Sequence, residues 1–182
     1  MVYLRPIQEN DLEMVMNWRM LPEITEYMYT DPVLTLEGQK NWFEKLSEDS
    51  TNKVFIIVVD DVPAGVLNVC DIDYVNKRCS WGYYIAVKEK RSLYLAMALE
   101  WNLYDFVFET LGLHKLEGEI FSFNKAVLRI HQMCGSEIEG VRKEHIYKNG
   151  KFYDITVTGI LKEHWLDIRD KRDYEKIEFR EQ

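Results

Sequence analysis

Val54-Phe55-Ile56-Ile57-Val58-Val59 is an unbroken apolar run. That pattern is expected of a strand buried on both faces. Asp60-Asp61-Val62-Pro63-Ala64-Gly65 then reads as a turn. Val66 to Val69 returns as a second strand, Asp73 to Lys77 as a polar turn, and Cys79 to Val87 as a third strand. Three strands joined by short turns make a meander. A helix from about Leu93 to Thr110 follows, with Leu93, Ala96, Met97, Leu103, Phe106 and Val107 on its apolar face and Gly112 as its stop signal.

Upstream of the meander, Val2-Tyr3-Leu4-Arg5 reads as a short strand. Asn10-Asp11 is a helix cap before Leu12, Val15, Met16 and Met20, and Pro22 ends that helix. Thr35 caps a second helix, Leu36 to Leu46, with Trp42 and Phe43 on its apolar side. Downstream, Leu116 to Phe123 alternates as a strand, and Asn124 caps a short helix that Gly135 stops. Ile138 to Tyr147 and Phe152 to Leu161 form a closing hairpin around Asn149-Gly150, the strongest hairpin signal in the chain. Residues 1–165 read as one domain, and 166–182 as a densely charged C-terminal tail or terminal helix. The order β-α-α-β-β-β-α-β-α-β-β gives α+β architecture, a mixed central sheet with helices on both faces.

Composition narrows the function. A chain of 182 residues with 47% hydrophobic content folds as a globular domain without staples. The net charge of -8 repels phosphate backbones, so no nucleic-acid partner is expected. No apolar run reaches a membrane span, so no membrane partner is expected either. The three cysteines, Cys70, Cys79 and Cys134, are widely separated, and the four histidines form no HxxxH or HExxH pair. Neither a disulfide framework nor a metal site is expected. Met1 leads straight into Val2-Tyr3-Leu4-Arg5-Pro6 with no secretory pattern, which points to the cytoplasm. No GxSxG elbow, Walker A loop or GxGxxG fingerprint appears, so an enzyme of this kind works by positioning and backbone polarisation.

Several local motifs recur in a known order. Leu4-Arg5-Pro6 with Asp11-Leu12 opens the series, and Gly82-Tyr83-Tyr84-Ile85 ends the central strand. Tyr104-Asp105-Phe106 and Leu111-Gly112-Leu113-His114-Lys115-Leu116 follow. Asn124, Arg129, Ile130, Gly135, Glu139 and Gly140 keep the spacing of an N-x-x-S-x-R-V…K-x-G-F-x-x-E-G signature. Gly150-Lys151-Phe152-Tyr153-Asp154 and Glu163-His164-Trp165 close it. Over roughly residues 2–165 the chain resembles the GCN5-related N-acetyltransferases (GNAT). It is most similar to the branch holding ribosomal-protein N-terminal acetyltransferases and the amino-sugar N-acetyltransferases of pseudaminic acid biosynthesis.

The resemblance implies acetyl-CoA as co-substrate, no metal, and pyrophosphate binding on amides at the start of the helix after the central strand. The implied cofactor positions are Ile85, Val87, Lys90, Arg91, Ser92, Leu93, Tyr94, Asn124 and Arg129, with Lys88 adding charge. Ser92 and Tyr94 stand where the family writes glycines. The loop therefore has three readings: acetyl-CoA bound through its amides, a different acyl donor, or a fold kept without catalysis.

The acceptor side follows from Asn17-Trp18-Arg19, Glu26-Tyr27-Met28-Tyr29-Thr30 and Gln39-x-x-Trp42-Phe43. Arg19, Met28, Tyr29, Gln39, Trp42 and Tyr84 are the implied substrate positions, for a UDP-linked amino sugar. Arg19 offers a planar fork for a diphosphate, and Tyr29 or Trp42 a stacking face. The plain alternatives are core packing for Trp18 and Trp42, and an Arg19–Glu23 ion pair. The catalytic candidates are Tyr84, Asn124 and Asp71. Asp71, like Asp73, ends the strand beside the central one, where the alternative is a solvated turn carboxylate. His131 falls on the short helix near the thioester position that the resemblance implies, and its preferred reading is a satisfied structural histidine. The expected reaction is direct attack of an amine on the thioester, with a small-molecule amine acceptor. The rival acceptors are a protein N-terminus, a polyamine or an antibiotic amine. Rival roles are a lapsed binding module or an interaction protein, and a homodimer through the closing hairpin is the self-association considered.

Overall fold

In the computed structural model, residues 1–180 are described. The strands are β1 (Val2–Pro6), β2 (Lys53–Val59), β3 (Val62–Asp73), β4 (Arg78–Ile85), β5 (Lys115–Phe121), β6 (Glu137–Lys148), β7 (Lys151–Leu161) and β8 (Glu178–Phe179). The helices are α1 (Leu12–Arg19), α2 (Pro22–Thr25), α3 (Leu36–Glu48), α4 (Leu93–Asp105), α5 (Lys125–Cys134) and α6 (Lys162–Arg169). The strands make a mixed eight-stranded sheet, as the α+β reading expects. The chain divides into two compact units.

The first unit holds residues 1–70, 82–90 and 178–180. Its strands run β8-β1-β2-β3, with β1 antiparallel to β2, β2 antiparallel to β3, and β8 parallel to β1. Ile56 and Ile57, neighbours on β2, are both fully buried, which is the two-faced burial that the apolar run implies. The expected turn over 60–65 shortens to Asp60-Asp61, both with positive φ (51° and 61°). Left-handed backbone at both central residues suits the twist of a two-residue hairpin, and aspartate tolerates it. β3 therefore starts at Val62. Pro22 starts the short α2 rather than ending a helix, since proline fits a first helical position. Asp11 does not cap α1 with its side chain. Its carboxylate is held by Arg5, at 2.7 and 2.8 Å, and by the Gln8 amide at 2.8 Å.

The second unit holds residues 71–81 and 91–177, with strands β4-β5-β7-β6. β4 runs parallel to β5, while β7 is antiparallel to both β5 and β6. Asn149 (φ 49°) and Gly150 (φ 77°) form the predicted hairpin turn. Gly135, at φ 118°, stops α5 as expected. The long helix expected to reach Thr110 ends as α4 at Asp105 and widens into a π turn over Phe106–Thr110.

The segment after Trp165 is docked rather than solvated. Trp165 is fully buried and donates from Nε1 to Asp105 at 3.0 Å. Asp105 also accepts from Tyr174 at 2.7 Å and from Lys176. Asn102 holds the Glu175 carbonyl and the Ile177 amide, each at 2.9 Å. Two polar side chains on α4 thus order a stretch whose composition alone suggests solvent. Glu181 and Gln182, the end of that expected tail, lie outside the described residues.

Gly65 on β3 sits against the end of β4. A Cβ there would stand 2.1 Å from the Tyr84 carbonyl oxygen and 3.0 Å from Ile85 Cα. Backbone cannot move aside cheaply, so Gly65→Ala is expected to cost about 3 kcal/mol and lower Tm by roughly 6–12 °C. Gly140→Ala meets nothing within 4 Å and should leave Tm unchanged within about 2 °C. Thermal unfolding of both variants checks the contrast.

Candidate active site

In the first unit, the ring of Tyr84 packs on the core cluster of Ile7, Leu12, Val15, Ile56, Val58 and Val66. Burial pushes its phenol well above the ordinary value, against the pull of the Arg19 charge. The hydroxyl therefore stays protonated and can serve as a hydrogen-bond donor. Arg19, at the end of α1, donates from Nη2 to the Thr30 carbonyl (3.3 Å) and hydroxyl (3.1 Å). Its Nη1 is enclosed with no partner. Burial lowers the Arg19 pKa, opposed by Tyr84 and Asp31. The Arg19–Glu23 pair that the sequence allowed does not form: Glu23 lies 3.1 Å from Lys88 instead.

The other acceptor positions divide. Met28 and Tyr29 are half-buried in the segment that supplies Thr30, and Gln39 is half-buried on α3. Trp42 is 37% exposed, so the apolar side of α3 rests on Phe43 and Leu46, which pack against the core cluster. The core-packing alternative for Trp42 is thereby replaced by an accessible indole. Trp18 does pack on that cluster.

The backbone beyond β4 is partly committed. The amides of Ala86 and Val87 both donate to the Ala64 carbonyl, at 2.8 and 3.1 Å. Val87 N–H is thus already bonded. Lys90 lies 2.9 Å from Asp60, which also holds the Met1 amine at 2.8 Å. Those two cations hold Asp60 down to about 2. Lys88 and Lys90, expected beside phosphate, both have carboxylate partners within this unit.

In the second unit, Ser92 caps α4, its Oγ accepting from Leu95 N at 3.1 Å. The next two amides, of Leu93 and Tyr94, occupy the first turn, where a helix offers no carbonyl. Ser92 is exposed and Tyr94 is 55% exposed, so standing in for glycine they put no buried bulk in this turn. Capping, open amides and dipole suit a pyrophosphate. Arg91 is exposed beside them. Asn124 spends its Oδ1 as the cap of α5, accepting from Val127 N at 3.4 Å. Arg129 is exposed and makes no hydrogen bond or ion pair among the described residues, which leaves its charge available to an anion. Asp71 is exposed at φ 52°, whereas Asp73 folds back on Val75 and Asn76 as a turn carboxylate.

One group went unsingled in the sequence. Glu100 on α4 is fully buried, and its Oε2 lies 2.8 Å from His131 Nδ1 on α5. Its Oε1 accepts from Tyr104, whose hydroxyl lies 3.0 Å from Ser136 Oγ. The available signal was a glutamate four residues before a tyrosine on an otherwise apolar helix, a spacing that puts both on one face. Among the described residues no group of three or more His, Cys, Asp or Glu could hold a metal, and no helix is long and apolar enough to cross a membrane.

Comparison with known proteins agrees with this architecture. Residues 2–137 match the acetyltransferase (GNAT) domain. The chain is 27% identical over 129 residues to acetyltransferase PseH of Campylobacter jejuni, covering 69% of this chain and 76% of that one. It is 24% identical over 167 residues to spermidine N(1)-acetyltransferase of Vibrio cholerae, covering 90% and 95%. The solved structure of the Vibrio cholerae spermidine N-acetyltransferase, in complex with CoA and spermine, has the same fold. Its TM-score is 0.85 at 22% identity, covering 91% of this chain and 98% of that one. With the domain match running through most of its length, the chain belongs to the GNAT acetyltransferase family.

Proposed function

We propose that this acetyl-CoA-dependent N-acetyltransferase acts on the primary amine of a nucleotide-linked amino sugar. The unspent guanidinium of Arg19 carries the reading. An enclosed N–H without a partner costs roughly 1–3 kcal/mol, and a ligand oxygen would recover that. Arg19 has a planar fork for a diphosphate, and Trp42 gives an accessible aromatic face. A polyamine would bring positive charge toward the same guanidinium, which is unfavourable.

Acetyl-CoA supplies an activated acyl carbon. The amides of Leu93 and Tyr94 and the side chain of Arg129 are the groups proposed to hold its phosphates. Tyr84, protonated, donates a hydrogen bond and does not act as a base. Asp71 and Asn124, the other catalytic candidates, differ: Asp71 is solvent-facing, and Asn124 acts by fixing the start of α5. The second reading is a polyamine acceptor. It is favoured by the net charge of -8 and by the longer span matched in the spermidine enzymes.

Thiol release with a UDP-4-amino-4,6-dideoxy sugar and with spermidine separates the two. The expected kcat/KM is at least about tenfold higher for the sugar, and the reverse order overturns the proposal. Arg19→Met should raise the sugar KM by about 10–100-fold, the loss of one or two charge-assisted bonds. Its acetyl-CoA Kd should stay within twofold of wild type by calorimetry.

Acetyl-CoA at about 100 times its Kd is expected to stabilise the fold by about 2.7 kcal/mol, raising Tm by roughly 5–10 °C. Arg129→Ala should weaken that Kd about tenfold. A melt unmoved by millimolar acetyl-CoA would instead support the lapsed binding module.

A further inference from the structure

Glu100 presents a carboxylate with no solvent exposure. An ionised carboxylate only accepts hydrogen bonds. Its contact with His131 Nδ1 at 2.8 Å therefore sets that nitrogen as the proton-bearing one, leaving the lone pair on Nε2. Tyr104 grips the other carboxylate oxygen and is itself placed by Ser136, so the carboxylate cannot swing away. Trp81 of β4 meets the imidazole edge-on, with centroids 5.1 Å apart and an interplanar angle of 62°. The imidazole is thus oriented by two groups, the Glu100 carboxylate and the Trp81 ring.

Nε2 has no partner among the described residues. The side-chain nitrogens and oxygens that are both enclosed and unpartnered are Arg19 Nη1 and Arg172 Nε. Nε2 is not one of them, so part of the 5% residual exposure of His131 lies at this atom. A carboxylate-held histidine with one open basic nitrogen is the arrangement of a general base. It stands on the elements proposed to hold acetyl-CoA, since α4 carries Leu93 and Tyr94 and α5 carries Arg129.

We propose that His131 is the base of the acetyl transfer and that Glu100 is its positioning residue. The inference rests on amine acetylation by this site, whichever amine is the acceptor. The amine nitrogen bonds to the thioester carbonyl carbon, the C–S bond breaks, and CoA leaves as thiolate. The proton lost by the nitrogen goes to Nε2, and the imidazolium so formed faces the Glu100 carboxylate. That proton then passes to the thiolate, which returns His131 to its starting state.

His131→Gln and Glu100→Gln are assayed with the better acceptor of the pair above, beside calorimetric binding of acetyl-CoA. His131→Gln should lower kcat at least about 100-fold with the acceptor KM and the acetyl-CoA Kd each within threefold. Glu100→Gln should lower kcat less, leave the acceptor KM within threefold, and change the imidazole tautomer balance, since an amide no longer obliges Nδ1 to carry the proton. A folded His131→Gln enzyme with kcat within threefold of wild type overturns the proposal, leaving a structural ion pair. The imidazole ¹⁵N spectrum of wild-type protein gives a reading that needs neither turnover nor a stable variant. His131 must carry its proton on Nδ1, the nitrogen that meets Glu100. An Nε2–H tautomer overturns the assignment, while sugar and spermidine selectivity stays a separate result.

Discussion

A carboxylate sealed from water must be matched by donors, because its uncompensated burial would cost more than most domains can spare. Glu100 imposes that constraint on the second unit, and several features answer it. Tyr104 comes from the next turn of α4, one helical step away on the same face. His131 comes from α5, whose start is fixed by the Asn124 cap and whose end is fixed by Gly135. Ser136 follows that glycine directly and completes the chain of hydrogen bonds. Inserting or deleting one residue between Asn124 and His131 would turn the imidazole about 100° around the helix and strand the carboxylate. The boundaries of α5, α4 and the imidazole orientation are therefore one problem with one solution.

The first unit shows what a satisfied guanidinium looks like beside one that is not. Arg5 meets both oxygens of Asp11, and the same carboxylate also takes the Gln8 amide. Burial works against ionised Asp11, but the guanidinium and amide outweigh it and hold the acid below its ordinary range. That pair is complete and needs no ligand. Arg19 is buried to a similar degree of partial exposure, yet only Nη2 is used. Folding alone does not account for a long cation placed this way, since a leucine or methionine would fill the volume without the desolvation cost. The contrast gives Arg19 a different standing from Arg5, although both look alike as isolated arginines in the sequence.

Most of the sheet was legible because its signals are local. The apolar run at 54–59, the Asn149-Gly150 turn, the Thr35, Ser92 and Asn124 caps and the Gly135 stop each depend on a few neighbouring residues. The departures arise where distant partners decide. Asp11 reads as a cap until Arg5 claims it. Residues after Trp165 read as solvated until Asp105 and Asn102 on α4 provide partners for Trp165, Tyr174, Glu175 and Ile177. Pro22 carries two meanings, helix stop and helix start, and only the following residues choose. At the proposed site, the resemblance named Arg19, Tyr84 and Ser92 but not Glu100. Its spacing to Tyr104 on an apolar helix hints at a shared face, but its burial follows only from the partner helix α5.

Charge shows most clearly how local structure changes a sequence-level argument. A net charge of -8 leaves an anionic substrate dependent on local positive exceptions, and Lys88, Lys90 and Arg91 form the obvious cluster in the sequence. Folding gives Lys88 to Glu23 and Lys90 to Asp60. Their exposed pairs are weak, so they compete with a phosphate without forbidding it. What remains unspent is of another kind: two first-turn amides on α4, the Arg129 guanidinium, and one nitrogen of Arg19. Amides carry no net charge, so they bind phosphate by direction and dipole, and they do so regardless of the acidic surface around them. An acidic protein can thus hold a polyanionic co-substrate without a basic patch. Its net charge still favours a cationic acceptor except close to an unspent guanidinium, and on the acceptor side Arg19 is the group proposed to reverse the sign.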